Sequence, residues 1–146
     1  MKIIDQISAG GIVFKKLPVN HQDSTALWLI CKHSQHKGWV FPKGLVGDTD
    51  VNESNETAAL REVEEEGGIK AKIVDNKPIV VQYQYFWEES LIKKTVYYFL
   101  MEYISGDTTN HDWEMSEVKF ANIDEVKKTL TYPSDREAFE KVLQGL

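Results

Sequence analysis

The chain has one cysteine, Cys31, so it cannot close an internal disulfide, and no Cys or His spacing resembles a zinc site. It has four prolines and no proline-rich linker. No window approaches the ~20 apolar residues that a membrane span requires. The N-terminal "MKIIDQISAGG" lacks the apolar run of a secretion signal. Positive charge is also short: 17 Lys and Arg against 23 Asp and Glu leave a net charge of −6. Tracking along nucleic acid by phosphate neutralisation requires clustered cations, so no stable nucleic-acid binding is expected. Internal repeats and low-complexity tracts are absent as well. What remains is a single domain over residues 1–146, read as cytoplasmic, free of membranes, and a monomer or weak dimer. A hydrophobic content of 42% suffices for one core.

Apolar patterning suggests a mixed sheet with helices around it. "ISAGGIVF" (Ile7–Phe14) reads as a strand, and the near-continuous apolar run "TALWLICKH" (Thr25–His33) as a buried one. The polar "KLPVNHQDS" between them reads as a turn. "AKIVDNKPIVVQYQYFW" and "KKTVYYFLMEYI" contain long strands, and "VKFAN" a short one after the polar loop "SGDTTNHDWEMSE". A helix is expected from about Asn55 to Glu66, with Asn52 or Ser54 as N-cap and Gly67–Gly68 as its stop. Capping boxes at Asn122–Glu125 and Ser134–Glu137 predict two closing helices. Trp28, Phe99 and Phe120 are assigned to the core.

The first helix ends in "REVEEEGG", and this is the anomaly of the sequence. A helix C-terminus carries partial negative charge and favours cations. With 100° per residue and Glu62 at zero, Glu66 falls near 40° and Glu65 near 300°, so the three carboxylates share roughly 100° of arc. Ala58 falls in the same arc, while Ala59, Leu60 and Val63 make the apolar one and Glu64 points away. Arg61 stands four residues before Glu65 and can orient it. Each exposed like-charge pair costs about 0.2–0.5 kcal/mol, and the helix dipole adds about 0.3–1 kcal/mol per charge. A hard divalent cation reverses the sign, because Mg²⁺ takes carboxylate oxygens together with water and substrate phosphate.

The spacing from Gly47 through Glu53 to Arg61-Glu62-Val63-Glu64-Glu65-Glu66-Gly67-Gly68-Ile69 resembles the Nudix hydrolase signature G-x5-E-x7-R-E-U-x-E-E-x-G-U, U being a bulky aliphatic. Every fixed position matches. Family members usually carry the glycine directly after a "PK" pair, which would be Gly44 in "FPKG". A short insertion in "GDTDVN", over Asp48–Asn52, accounts for the offset, and both glycines stand as candidates for the family role. "SAGGIVF", "GWVFPKG", "KKTVYYFLMEY" and "LTYPSDREAFEKVL" resemble the bacterial asymmetrical diadenosine tetraphosphate hydrolases of this family, which release ATP and AMP.

The resemblance implies an α+β fold, a Nudix-type α/β/α sandwich with a central mixed sheet. It implies cleavage of a pyrophosphate bond with Mg²⁺ or Mn²⁺. It makes Glu65 and Glu66 the main metal ligands, Glu62 a further ligand or the general base, Glu53 a helper and Arg61 an electrostatic organiser. The Gly44 carbonyl is an added ligand, and Glu114 a ligand or base with Glu117 as rival. Lys43 is matched to a phosphate-binding lysine. Lys94 can reach a phosphate, with Lys93 as competitor. Adenine needs flat faces, for which Tyr132 ranks first and Tyr85 and Tyr97 follow. His36, with His33, lies in the loop before "WVFP" and is a candidate for phosphate or base. ADP-ribose, nucleoside triphosphates and capped RNA are the alternative substrates, and a non-catalytic nucleotide sensor is the alternative class.

Overall fold

The computed structural model describes residues 1–17, 26–47 and 50–145. Most of the expected "KLPVNHQDS" turn lies outside the described residues, as do Asp48 and Thr49 of the expected insertion.

Eight strands form one mixed sheet. They are β1 (Lys2–Lys16), β2 (Ala26–His33), β3 (Trp39–Val40), β4 (Lys43–Leu45), β5 (Ile69–Ile73), β6 (Ile79–Trp87), β7 (Ser90–Gly106) and β8 (Met115–Ala121). The main order is β3-β2-β1-β7-β5, with β4 paired to β1, β6 to β7 and β8 to β2. β1 and β7 run parallel from Lys2↔Ser90 to Phe14↔Glu102, and the other pairs are antiparallel. β1 begins five residues earlier than its local pattern predicts. Its N-terminal half is held by this ladder to β7, a tertiary pairing that local periodicity does not encode.

Period-two alternation assigns each strand residue to one of two cores. On one side α1 (Asn55–Gly67) lays Ala58, Ala59 and Val63 against Ala9, Val13, Leu29, Phe99 and Met101. On the other, α2 (Ile123–Thr129) and α3 (Pro133–Gln144) cover Ile12, Trp28, Ile30, Val96 and Tyr98 with Val126, Phe139 and Val142. The result is the expected α/β/α sandwich. Each fully buried Phe or Leu of this kind contributes about 1.5–3 kcal/mol. Phe120 sits at the margin of the first core, edge-on to Tyr103.

Helix starts follow side-chain chemistry with one exception. Ser54 accepts from the Thr57 N–H, and Asn122 from the Glu125 N–H. The third helix does not use the expected Ser134 cap. It begins two residues earlier, at Pro133, with Tyr132 before it and no side-chain cap. Proline has its φ already set for a helix and no N–H to satisfy, so it takes the first position itself. The apolar arc of α1 also differs from expectation. Leu60 is exposed, whereas Glu62 and Glu66 are buried. The helix is rolled so that its inward face is centred between Ala59 and Glu62, carrying two carboxylates into the protein. Among the described residues no helix is long and apolar enough to cross a membrane.

Candidate active site

The site is built where the C-terminal half of α1 meets β4. Two carboxylates of α1 turn inward, Glu62 at 6% and Glu66 at 4% exposure. Burial pushes the Glu62 carboxyl up to about 7, against the pull of Arg61 and with the help of Glu65 and Glu114. Burial, then the neighbouring Glu62, push Glu66 up to about 9, although Lys43 and its backbone N–H act in the opposite direction. That N–H donates to Glu66 Oε1 at 3.1 Å. The helix thus holds two carboxylates with incomplete compensation, which is costly unless a cation joins them.

Arg61 organises the outer side of the cluster. Its Nε and one terminal nitrogen form a fork on Glu53, at 2.8 Å to Oε2 and 3.0 Å to Oε1. The other terminal nitrogen reaches Glu62 Oε1 at 2.7 Å and Glu65 Oε2 at 3.3 Å. Those bonds hold the Glu53 carboxyl below its usual range and raise Arg61. Glu65 itself is half-exposed on the rim.

The two candidate glycines do different things. A Cβ on Gly44 would lie 2.2 Å from the Glu62 carboxyl carbon, so only glycine lets β4 pass under that side chain. Gly47 has φ +83° and donates its N–H to Glu53 Oε1 at 3.1 Å. Gly44 therefore touches the inner carboxylate, and Gly47 anchors the outer one that Arg61 grips. Gly44→Ala should displace Glu62, lowering turnover by about tenfold or more, with an overpacking cost of about 1–3 kcal/mol. Steady-state kinetics and urea titration of the variant check both figures.

Beside this cluster lies a cavity of about 780 Å³ on the α3 side of the sheet. Gly44, Glu66 and Glu114 mark its end toward α1, and Lys43, Lys94, Tyr85, Tyr132 and His36 also line it. The structure thereby brings together most of the residues singled out from the sequence. Glu114 is placed by backbone bonds: Asp112 N–H donates to Glu65 O at 2.8 Å, and Ser34 N–H to Glu114 O at 2.8 Å. Glu117 is one of the β8 residues facing solvent and does not line the cavity.

Strand parity separates the remaining candidates. Lys94 faces the cavity, while Lys93 is exposed. Tyr97, three positions from Lys94, has the opposite parity. It packs against the α1 core and does not line the cavity, contrary to its expected role in substrate binding. The tyrosine that takes this place is Tyr83, paired with Lys94 across the strands and stacked on Tyr85 at 6.2 Å. Its signal was in the sequence: Val81, Tyr83 and Tyr85 alternate along one face of β6.

Asp135 is a second residue that the sequence reading did not single out. It is buried in the first turn of α3, lines the cavity and accepts from the Tyr98 hydroxyl at 2.7 Å. Burial lowers the Lys43 ammonium, but Asp135, Tyr83, Glu66 and Tyr132 outweigh it and raise Lys43 overall. Among the described residues no carboxylate does the same for Lys94; burial and the nearby Lys43 lower it. Two cations in one cavity, one of them short of an anion, suit a phosphorylated ligand.

Among the described residues no three His, Cys, Asp or Glu side chains converge into a finished cation cage. The donor set nevertheless fits Mg²⁺ or Mn²⁺. It is all oxygen, two carboxylates are buried with incomplete compensation, and such ions need only one or two carboxylates beside water and substrate phosphate.

The NUDIX domain model matches residues 17–142. The chain is 28% identical over 142 residues to a protein of Mycobacterium tuberculosis named as a mutator protein, MutT4, covering 96% of this chain. It spans 55% of that curated relative's length. Its fold is similar to that of an Ap4A hydrolase from C. elegans, with a TM-score of 0.74 and 24% identity over 97% of this chain and 99% of the other. It is also similar to the E. coli dihydroneopterin triphosphate pyrophosphohydrolase, with a TM-score of 0.69 and 16% identity over 98% and 99% of the two chains. With the family model matching most of its length, the chain belongs to the NUDIX domain family.

Proposed function

We propose that this NUDIX hydrolase cleaves a pyrophosphate bond in dinucleoside polyphosphates, diadenosine tetraphosphate to ATP and AMP in the first instance. The observation that carries the reading is the junction of a buried carboxylate pair, Glu62 and Glu66, with a cavity holding Lys43 and Lys94. The likeness to an Ap4A hydrolase fold supports it.

Glu62, Glu65, Glu66, the Gly44 carbonyl and Glu114 would hold Mg²⁺ or Mn²⁺. When bound, the metal neutralises phosphate oxygens and acidifies water. The protein supplies the rest. Lys43 and Lys94 draw the phosphate chain into the cavity, and Tyr83, Tyr85 and Tyr132 offer flat faces to a base. Glu53 and Arg61 fix the carboxylates in place. Glu62 or Glu114 takes the proton of the attacking water.

A panel of diadenosine tetraphosphate, ADP-ribose, nucleoside triphosphates and capped RNA, with Mg²⁺ or Mn²⁺, tests the proposal by product chromatography. Equal amounts of ATP and AMP from the dinucleotide are the expected result. Cleavage confined to ADP-ribose would remove the substrate assignment while leaving the hydrolase.

A further inference from the structure

Strand β6 is an edge without a guard. Among the described residues it pairs only with β7, in an unbroken register from Ile79↔Tyr98 to Trp87↔Ser90. Sheets usually protect such an edge with lysines, prolines, bulges or a covering segment. β6 reads "IVVQYQYFW", nine residues without a charge or a proline, in a chain that is 27% charged. Phe86 and Trp87 are 69% and 64% exposed, and Val80 and Tyr85 are exposed as well. The hairpin determines which backbone groups face outward. Trp87 and Ser90 flank the two-residue turn Glu88–Glu89 and so form a hydrogen-bonded pair. Alternation then turns the N–H and C=O groups of Val80, Gln82, Gln84 and Phe86 away from β7. Among the described residues no other backbone group takes them up.

The side chains say which strand fits this edge. Turned end for end about Tyr83, the sequence of β6 matches itself in chemistry. Gln82 comes opposite Gln84, Val80 opposite Phe86, Val81 opposite Tyr85 and Ile79 opposite Trp87. We propose that β6 pairs antiparallel with β6 of a second copy of this chain, around a two-fold axis at Tyr83, joining two sheets into one. The register selects the outward-facing residues: Val80 with Phe86, and Gln82 with Gln84, are the pairs that exchange backbone bonds. Amide meets amide, apolar meets apolar, and no like charges are opposed. The contact is isologous, so it closes at two copies. It also covers the exposed aromatics of the hairpin tip. Tyr83 and Tyr85 line the cavity, so the second copy brings its own Tyr83 to the rim of each site, and both sites open on one face of the joined sheet. A nine-residue strand is about 30 Å long. One such pairing with its flanking side chains belongs to the small class of interfaces, below about 1,200 Å². The dimer is therefore weak and depends on protein concentration.

Sedimentation velocity from low to high micromolar concentration tests the pairing and its register, with melting temperature at the lowest concentration as the control on folding. The wild-type protein should shift from monomer to dimer. Gln82→Lys combined with Gln84→Lys sets ammonium groups opposite one another on both sides of the axis, and should weaken the dimer about tenfold. Gln82→Lys combined with Gln84→Glu sets opposite charges at the same places, and should dimerise at least as well as the wild-type protein. Residues directly opposed at a non-hydrogen-bonded position have Cα atoms about 4.5 Å apart, within reach of a disulfide. Tyr83→Cys should therefore cross-link on mild oxidation, whereas the wild-type protein, whose Cys31 is buried, should not. A wild-type protein that stays monomeric throughout would overturn the proposal and leave the edge to an extended peptide of another protein. Equal dimerisation of the two double variants would overturn it too, by placing the contact elsewhere. Neither result touches the hydrolytic reading, which the substrate panel tests on its own.

Discussion

Glu66→Gln should reduce turnover at least about 100-fold, the scale expected for losing a charged group that holds a catalytic metal. In the absence of metal the same variant should melt higher than the wild-type protein. Glu66 is buried beside Glu62, and its carboxyl is pushed up to about 9 from an ordinary 4.5. Its protonated form therefore favours the fold. That contribution is complete below about pH 4.5 and is lost as pH rises through 9. Wild-type stability without metal should accordingly decline across this window, and the decline should be shallower in the Gln variant. Added Mn²⁺ should restore the wild-type protein and do little for Glu66→Gln. Scanning calorimetry at several pH values, with and without Mn²⁺, reads all three. A flat wild-type profile would show that Glu66 is solvated, and the metal proposal would fail with it.

Arg61→Ala should cost about 3–5 kcal/mol of stability, the price of stranding the partner of a buried charge. Its bonds reach Glu53 and Glu62, whose side chains are 4% and 8% exposed. Arg61→Lys keeps the charge but not the fork, and should recover only part of the loss. Activity should fall in both, since Glu62 and Glu65 lose the group that spaces them. Urea titration separates this from the alternative. An exposed ion pair contributes about 0–1 kcal/mol, and a change that small in Arg61→Ala would place the network on the solvated surface.

The mixed sheet with its helices and the signature helix were legible in the sequence because both rest on local regularities, whereas the sandwich layering came from the family resemblance. The carboxylate register of α1, the Asn122 cap and the buried run of β2 are fixed by spacing and by short-range hydrogen bonds. The errors arise where tertiary structure overrides those regularities. Leu60 belongs to an apolar arc by wheel geometry, but packing rolled α1 toward Glu62. Tyr97 is an aromatic on a middle strand, but the sheet face it occupies depends on counting from Lys94. Tyr83 was visible by that same count. Asp135 resembled an ordinary first-turn acid, and only the fold brings Tyr98 and Lys43 to it.

The bond from Asp112 to the Glu65 carbonyl and the one from Ser34 to Glu114 have a mechanical consequence. They staple the end of α1, the loop carrying Glu114 and the loop carrying the histidines into one frame. Much of the entropy of arranging these groups is thereby lost during folding rather than at the arrival of ligand. Such a frame presents its groups already assembled, trading adaptability for readiness.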